Sequence, residues 1–120
     1  MSLLGRIRFH GDPVTLYPAL DTAQADGDST RTYGPPLLDQ RLLMEELSAE
    51  AARRIFGAET TATMRAFAPL TLAVNVDDGV LVVSGIRAGE RYRVVSRIRQ
   101  TLGVMQHQDL GLERTAEVFP

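Results

Sequence analysis

Short apolar segments separated by tight turns fill the second half of the chain, and this spacing limits the fold more than any other feature of the sequence. Apolar residues at 70, 72, 74 and 76 alternate with polar or small ones, which is typical of a strand with one buried face. The turn Asp77-Asp78-Gly79 leads to the aliphatic run Val80–Val83, and a second glycine-rich turn leads to a predicted strand over 90–99. A weaker strand is expected within 103–114. Such a meander, in a small domain, is most economically closed into a barrel.

The first half of the chain is less regular. A first segment is predicted over 6–17, where apolar and polar residues alternate, and it ends in the short strand Val14–Tyr17 before Pro18. Residues 21–36 (DTAQADGDSTRTYGPP) are polar and rich in turn formers, so they are predicted to form a long loop. Loops of about fifteen residues are usually functional, or they are disordered until a partner orders them.

One short helix is predicted in the middle of the chain. Residues 37–47 fit neither a helical nor a strand period, so that segment stays open between the two. The helix follows over 48–56, with Ser48 as its N-cap and Gly57 available after its last turn. An acidic residue in the first turn and two arginines in the last turn suit the helix dipole.

Length and charge limit the class of protein. With 120 residues, of which 44% are hydrophobic, the chain is expected to form one domain over 1–120 that is mainly β with one short helix. A net charge of −2 argues against a protein whose main task is to coat nucleic acid. No apolar run approaches the ~20 residues of a membrane helix, so neither a signal peptide nor an anchor is expected.

The sequence offers little catalytic or metal-binding chemistry. Cysteine is absent and the two histidines, His10 and His107, are far apart, so we expect no metal and no cofactor. Ser84 lies outside a G-x-S-x-G pattern, a phosphate-binding P-loop is missing, and Asp77-Asp78 is explained by turn chemistry. The protein is therefore predicted not to be an enzyme.

Arginines are concentrated on the predicted strand 90–99. The chain has thirteen arginines and no lysine, a usage that a GC-rich genome also produces. In a strand without a bulge, residues of one parity share a face, so four arginines would form a basic stripe opposite the core. The stripe consists of Arg91, Arg93, Arg97 and Arg99.

Four like charges on one face need an acidic partner. Within the chain the candidates are Glu90, Glu113 and Glu117. From a neighbouring subunit the candidates are the acidic residues of the polar loop, Asp21, Asp26 and Asp28. Because contacts in a ring need two different complementary patches, a basic stripe and an acidic loop would provide both.

The order of these elements resembles the small head-tail connector proteins of tailed bacteriophages, in particular the head-closure (stopper) and head-tail joining proteins. The resemblance covers about residues 45–114, including SAEAARRIFGAE and GERYRVVSRIR. Its G-x-x-Y-x-V element matches Gly89, Tyr92 and Val94. Where that family often has Gly-Asp before the valine strand, this chain has Asp78-Gly79-Val80.

The resemblance implies a virion protein with a small SH3-like β-barrel. It would form a homo-oligomeric ring of six subunits between the portal or adaptor protein and the tail terminator or tail tube protein. DNA would pass through the lumen without sequence specificity, and the loop 21–36 would face that lumen. Such a ring would close the head and let DNA pass at ejection.

Two other structural or binding functions remain open. The chain fits another phage tail or baseplate component, or a small nucleic-acid-binding barrel that uses the arginine stripe. The ring interpretation predicts that Arg93→Glu together with Arg97→Glu weakens assembly more than folding. The nucleic-acid interpretation predicts salt-dependent binding to short DNA.

Overall fold

Eight strands and two helices make up the described part of the computed structural model, which covers residues 2–23, 29–103 and 105–120. In chain order they are α1 (Leu3–His10), β1 (Asp12–Tyr17), β2 (Ala19–Ala23), β3 (Ser29–Tyr33), β4 (Leu37–Glu46), α2 (Ala49–Phe56), β5 (Met64–Ala68), β6 (Gly79–Val82), β7 (Arg91–Gln100) and β8 (His107–Arg114). Six antiparallel strands close into a barrel in the order β1-β4-β5-β8-β7-β6, while β2 and β3 form a separate two-stranded sheet. The predicted mainly-β barrel is confirmed.

Alternate residues of the six barrel strands fill the interior. Directly opposed residues share a face, so the pairs Val14–Val82 and Val94–Leu112 place four buried side chains on the inside. The core consists of Val14, Leu16, Leu42, Met44, Met64, Ala66, Ala68, Val74, Val80, Val82, Tyr92, Val94, Leu110 and Leu112. Closure leaves none of these six strands as an edge strand, although β7 pairs with β6 only over its first three residues.

The first segment is a helix and not the start of a strand. The Ser2 side chain accepts a hydrogen bond from the Gly5 amide, and Leu3 and Ile7 are buried one turn apart. The alternation of Ile7 and Phe9 was misleading, because only Ile7 packs inward and Phe9 stays 68% exposed. The strand predicted over 14–17 is confirmed, and it begins two residues earlier, at Asp12.

A bulge explains why residues 37–47 fit no single period. Val14 pairs with Gln40 and Leu16 with Leu37, so β4 carries one extra residue between these pairs. Asp39, in the bulge, has a φ of 59°, a left-handed conformation that aspartate tolerates better than most residues. The extra residue switches the inward parity from odd to even numbers along β4.

The strand predicted over 70–76 is wrong. These residues form a turn-rich connection between β5 and β6, in which Val74 is buried and Leu72 packs against the core. Side chains satisfy its backbone: the Gln108 amide donates to the carbonyls of Pro69 and Leu72 at 2.8 and 2.9 Å. The alternation therefore comes from a loop that covers one end of the barrel.

Helix α2 agrees with its prediction. The Ser48 hydroxyl accepts from the Ala51 amide at 3.1 Å, and Gly57 follows the last turn with a φ of 105°. The helix lies close to β8, where a side chain at Gly111 would meet Ala62, Ser96 and Phe56 at 3.1 to 3.3 Å. A glycine in the strand therefore allows the helical segment to approach the barrel.

Candidate interaction surfaces

Strands β2 and β3 form an arm attached to the barrel, which corrects the prediction of a loop over 21–36. In the described part of the chain they pair with each other and with no barrel strand, from Ala19 opposite Tyr33 to Ala23 opposite Ser29. A two-stranded ribbon without a core of its own gives no hydrophobic alternation, so the sequence pattern missed it. Asp21 lies in β2 opposite Arg31, whereas Asp26 and Asp28 lie outside the described residues.

An aromatic cluster holds the base of the arm. Phe119 stacks on Tyr17 of β1 with ring centroids 5.1 Å apart, and it meets Tyr33 of β3 edge to face at 5.2 Å. Tyr17 and Tyr33 are also in edge contact at 6.3 Å. The sequence contained the three aromatic residues, but their separation along the chain gave no signal that they would meet.

Asp78 also holds the base of the arm, through hydrogen bonds from backbone amides to its side chain. Its carboxylate accepts from the Ala19 amide at 2.9 Å and from the Asn75 amide at 2.8 Å, and the side chain is 4% exposed. The Gly34 amide donates to the Pro18 carbonyl at 2.8 Å across the two ends of the arm. The turn predicted at 77–79 lies earlier, because the Asp78 amide donates to the Asn75 carbonyl at 3.2 Å and Gly79 already begins β6. Asp78 thereby links the arm to the barrel.

A bulge in β7 divides the predicted arginine stripe between two faces of the strand. Val94 pairs with Leu112 and Ser96 with Gly111, so Val95 is the extra residue. The register reverses the parity after this point, because Arg97 pairs with Leu110, a core residue. The prediction of one continuous basic face is therefore wrong.

Arg91 and Arg93 lie on the outer face before the bulge. Arg93 is opposite Glu113 on one side and Gly79 on the other. Its Nε is buried and has no hydrogen-bond partner within the described part of the protein. Of the acidic residues expected to offset these charges, Glu90 pairs with Arg114 at 3.3 Å, and Glu113 accepts from the Thr61 hydroxyl at 2.9 Å.

Arg97 and Arg99 lie beyond the bulge, and Arg97 has a structural function. Its Nη1 donates to the Val74 carbonyl at 2.9 Å and to Asn75 Oδ1 at 2.7 Å, so it holds the connection between β5 and β6. Arg99, opposite Gln108, is exposed. Of the two, Arg99 is the residue free to meet a partner.

The Arg97→Ala variant is expected to lower the free energy of unfolding by about 1–2 kcal/mol, because bonds from a charged donor to the partly buried Val74 carbonyl and to the exposed Asn75 side chain are lost. Arg99→Ala is the matched control and should stay within about 0.5 kcal/mol of the wild type. Urea denaturation of the three proteins measures both values. Equal stability of the two variants would contradict the structural function of Arg97. It also follows that Arg97→Glu cannot separate assembly from folding.

A cluster of charged and polar side chains around the buried Asp109, on the outer face of the barrel, was not predicted. Arg65 donates to Asp109 Oδ1 through Nε and lies 3.0 Å from it through Nη2, and Asp109 is 2% exposed. His107 Nε2 lies 3.2 Å from the same oxygen, and Gln100 donates to Oδ2 at 3.2 Å. The Arg65 guanidinium also covers the Phe67 ring at 4.5 Å.

The strand registers explain how this cluster forms. Phe67 pairs with Asp109, and Gln100 pairs with His107, so these side chains share the outer face of β5, β7 and β8. Helix α1 packs against β4 and β5 beside them. A groove of about 500 Å³ lies there, and Leu3, Phe67 and Met105 supply part of its apolar lining. The sequence showed separate charged residues, and only strand pairing brings them together.

Tyr92 has a raised pKa and lies near the end of the barrel that holds the turn between β6 and β7. Burial raises the pKa of Tyr92 to about 12, and a 2.5 Å hydrogen bond from its hydroxyl to the Glu90 carboxylate acts in the same direction. The phenol is therefore neutral at physiological pH and serves as a donor rather than as a nucleophile. This position is the tyrosine of the G-x-x-Y-x-V element, and its ring lies at the end of the core.

The described residues contain neither a metal-binding cluster nor a helix that could span a membrane. Histidine, aspartate and glutamate side chains there form no group of three or more that could hold a metal ion. None of the helices in 2–23, 29–103 and 105–120 is long and apolar enough to cross a membrane.

Comparison with known proteins supports the fold. No family model matches the chain, and no curated protein gives a significant match. The solution structure of protein SF1141 from Shigella flexneri 2a is similar, with a TM-score of 0.60 and 16% sequence identity. The alignment covers 89% of this chain and 94% of that chain. At this identity the similarity establishes a shared fold alone.

Proposed function

We propose that the protein is a structural subunit of the neck of a tailed bacteriophage. Its subunits form a ring between the portal or adaptor protein and the tail terminator or tail tube protein, and DNA passes through the lumen. The observation that carries this proposal is the arm: a ribbon of mainly polar residues that pairs only with itself in the described chain, attached to a barrel with closed edges. The 51 × 32 × 27 Å dimensions of the molecule suit a barrel that carries such an extension.

A closed barrel presents no edge strand to a partner, so we expect side chains and appendages to carry most of its contacts. The arm and the exposed Arg99 lie at one end of the barrel, which is the end of the connection 69–78 and of the turn between β7 and β8. We refer to it as the arm end. A neighbouring subunit that presents an acidic surface to Arg99 satisfies the need for two complementary patches.

Large apolar side chains are exposed at both ends of the barrel. Leu102, in the turn at the arm end, is 91% exposed, and Met105 is 55% exposed. At the opposite end, in the turn between β6 and β7, Ile86 is fully exposed and Val83 is 56% exposed. Apolar residues at both ends suit a protein that is stacked between one partner above and another below.

Leu102→Ser and Ile86→Ser test the two ends separately. Both side chains are almost completely exposed, so each variant should keep its stability within about 0.5 kcal/mol of the wild type. We expect each to weaken binding to one connector partner by about tenfold or more, as truncation of an interface anchor does. Val118→Ser, which alters an exposed apolar residue in the segment that follows β8, is the control.

The measurement is mass photometry or negative-stain microscopy of the protein alone and with candidate portal, adaptor and tail proteins. Ring-sized particles in either condition would support the proposal. A strict monomer that joins none of these proteins would overturn it. Another phage tail or baseplate component would instead form its complexes with tail proteins and not with a portal or adaptor.

Nucleic-acid binding is the alternative function, and it receives less support. This alternative relied on a continuous arginine face. Arg97 instead donates hydrogen bonds to Val74 and Asn75, and the bulge places Arg93 and Arg99 on different faces of the strand. Binding of short DNA that weakens steeply between about 50 and 200 mM salt would restore this alternative.

A further inference from the structure

Residues 115–120, which we call the closing segment, follow β8 and reach the aromatic cluster at the base of the arm. Between Thr115 and Phe119 it forms neither helix nor strand, and the Thr115 amide donates to the Arg91 carbonyl at 3.0 Å. Ala116 and Val118 are exposed, whereas Phe119 is 8% exposed. One buried ring therefore anchors an otherwise irregular segment.

The position of Phe119 connects the barrel to the arm. The ring stacks on Tyr17, the last residue of β1, and contacts Tyr33, the last residue of β3. Tyr17 is also opposite Gly79, the first residue of β6. Phe119 thus contacts the barrel at β1 and β6 and the arm at the end of β3.

Gly79 provides the space for the ring. A side-chain carbon built there would lie 2.5 to 2.9 Å from three atoms of the Phe119 ring, which are the three heavy atoms nearest to it. Gly79 has no positive φ, so alanine is compatible with its backbone. The glycine is needed because of Phe119 and not because of the strand itself.

From these contacts we propose that Phe119 is a latch that fixes the orientation of the arm on the barrel. With the ring in place, the arm is held by the aromatic cluster and by the bond from Ala19 to Asp78. With the ring withdrawn, the contact between Phe119 and Tyr33 is lost, and the arm pivots on the Asp78 contact. This inference goes beyond the proposed function and holds whether or not the protein forms a ring.

The absence of cysteine allows clean labelling of the full-length chain. Spin labels at Ser29→Cys in the arm and Arg54→Cys on α2 report the orientation of the arm by electron-electron double resonance. Phe119→Ala is expected to broaden the distance distribution about twofold, and Val118→Ala, its exposed neighbour, is expected to leave it unchanged. An unchanged distribution in Phe119→Ala would overturn the proposal.

Gly79→Ala tests the latch from the barrel side. It is expected to expel the ring and to broaden the distribution as Phe119→Ala does. The double variant should give a distance distribution no broader than that of either single variant, because the added methyl group has no ring left to displace. Fully additive broadening would show that the two residues act independently, which contradicts a latch.

Hydrogen exchange separates a latch from a general loss of packing. In Phe119→Ala, amides of residues 19–23 and 29–34 are expected to exchange about tenfold faster, while those of β5, β7 and β8 keep their wild-type rates. Equal acceleration in the barrel strands would show that Phe119 is simply part of the core, and the proposal would fail.

Discussion

Replacing Arg65 with methionine is expected to lower the free energy of unfolding by about 3–5 kcal/mol, because it leaves the buried carboxylate of Asp109 without its cation. Methionine keeps most of the apolar stem beside Phe67, so the loss reports the charge rather than packing. His107 and Gln100 remain as hydrogen-bond partners of Asp109, but they do not replace a guanidinium that approaches one oxygen through two nitrogens at 3.0 Å. Chemical denaturation measures the effect.

Two comparisons make the Arg65 result specific. Arg54→Met removes an arginine whose ion pair with Glu50 is exposed, and it should change stability by less than about 0.5 kcal/mol. The double variant Arg65→Met with Asp109→Leu removes both charges of the pair and should recover most of the loss. If Arg65→Met costs no more than Arg54→Met, the cluster has no structural importance.

Asp78→Ala is the second large effect, with an expected loss of about 2–4 kcal/mol, because each partly buried donor left unpaired costs roughly 1–3 kcal/mol. The two donors are the amides of Ala19, at the start of the arm, and Asn75, in the connection between β5 and β6. Both segments should therefore lose protection from hydrogen exchange together. Denaturation and exchange of the same sample test this coupling.

Asp78→Asn is the matched control, because it keeps the shape of the side chain and one of the two acceptor oxygens. About half of the loss is expected. If Asp78→Ala stays within about 0.5 kcal/mol of the wild type, water satisfies both amides and the aspartate does not hold the arm. If asparagine is as harmful as alanine, the charge and not the number of acceptors is decisive.

Several barrel strands could be predicted from short apolar segments between turns. The aliphatic run Val80–Val83 and the segment 90–99 are examples, which the structure places at Gly79–Val82 and Arg91–Gln100. The pattern failed at 70–76, where Leu72 and Val74 reach the core from a loop. Hydrophobic alternation records which residues are buried, and a loop held by Gln108 and Arg97 can bury the same residues as a strand.

The candidate surfaces were less predictable, because one inserted residue reverses the parity of a strand. A bulge at Val95 turns Arg97 toward the core side, and no residue type in RYRVVSRIR marks that position. The arm was missed for a different reason. Its two strands, ALDTA and STRTY, show little hydrophobic alternation, so periodicity carries little information about them.

The sequence by itself determined that this chain builds a small barrel with a capped helix and balanced charge, since these depend on local periodicity, turn residues and composition. Only the tertiary structure decided what the charged and aromatic residues do. Arg65 meets Asp109, and Phe119 meets Tyr17 and Tyr33, because strand pairing and the return of the closing segment bring distant residues into contact. Contacts between residues far apart in sequence depend on register, and register is set by the packing of the whole barrel.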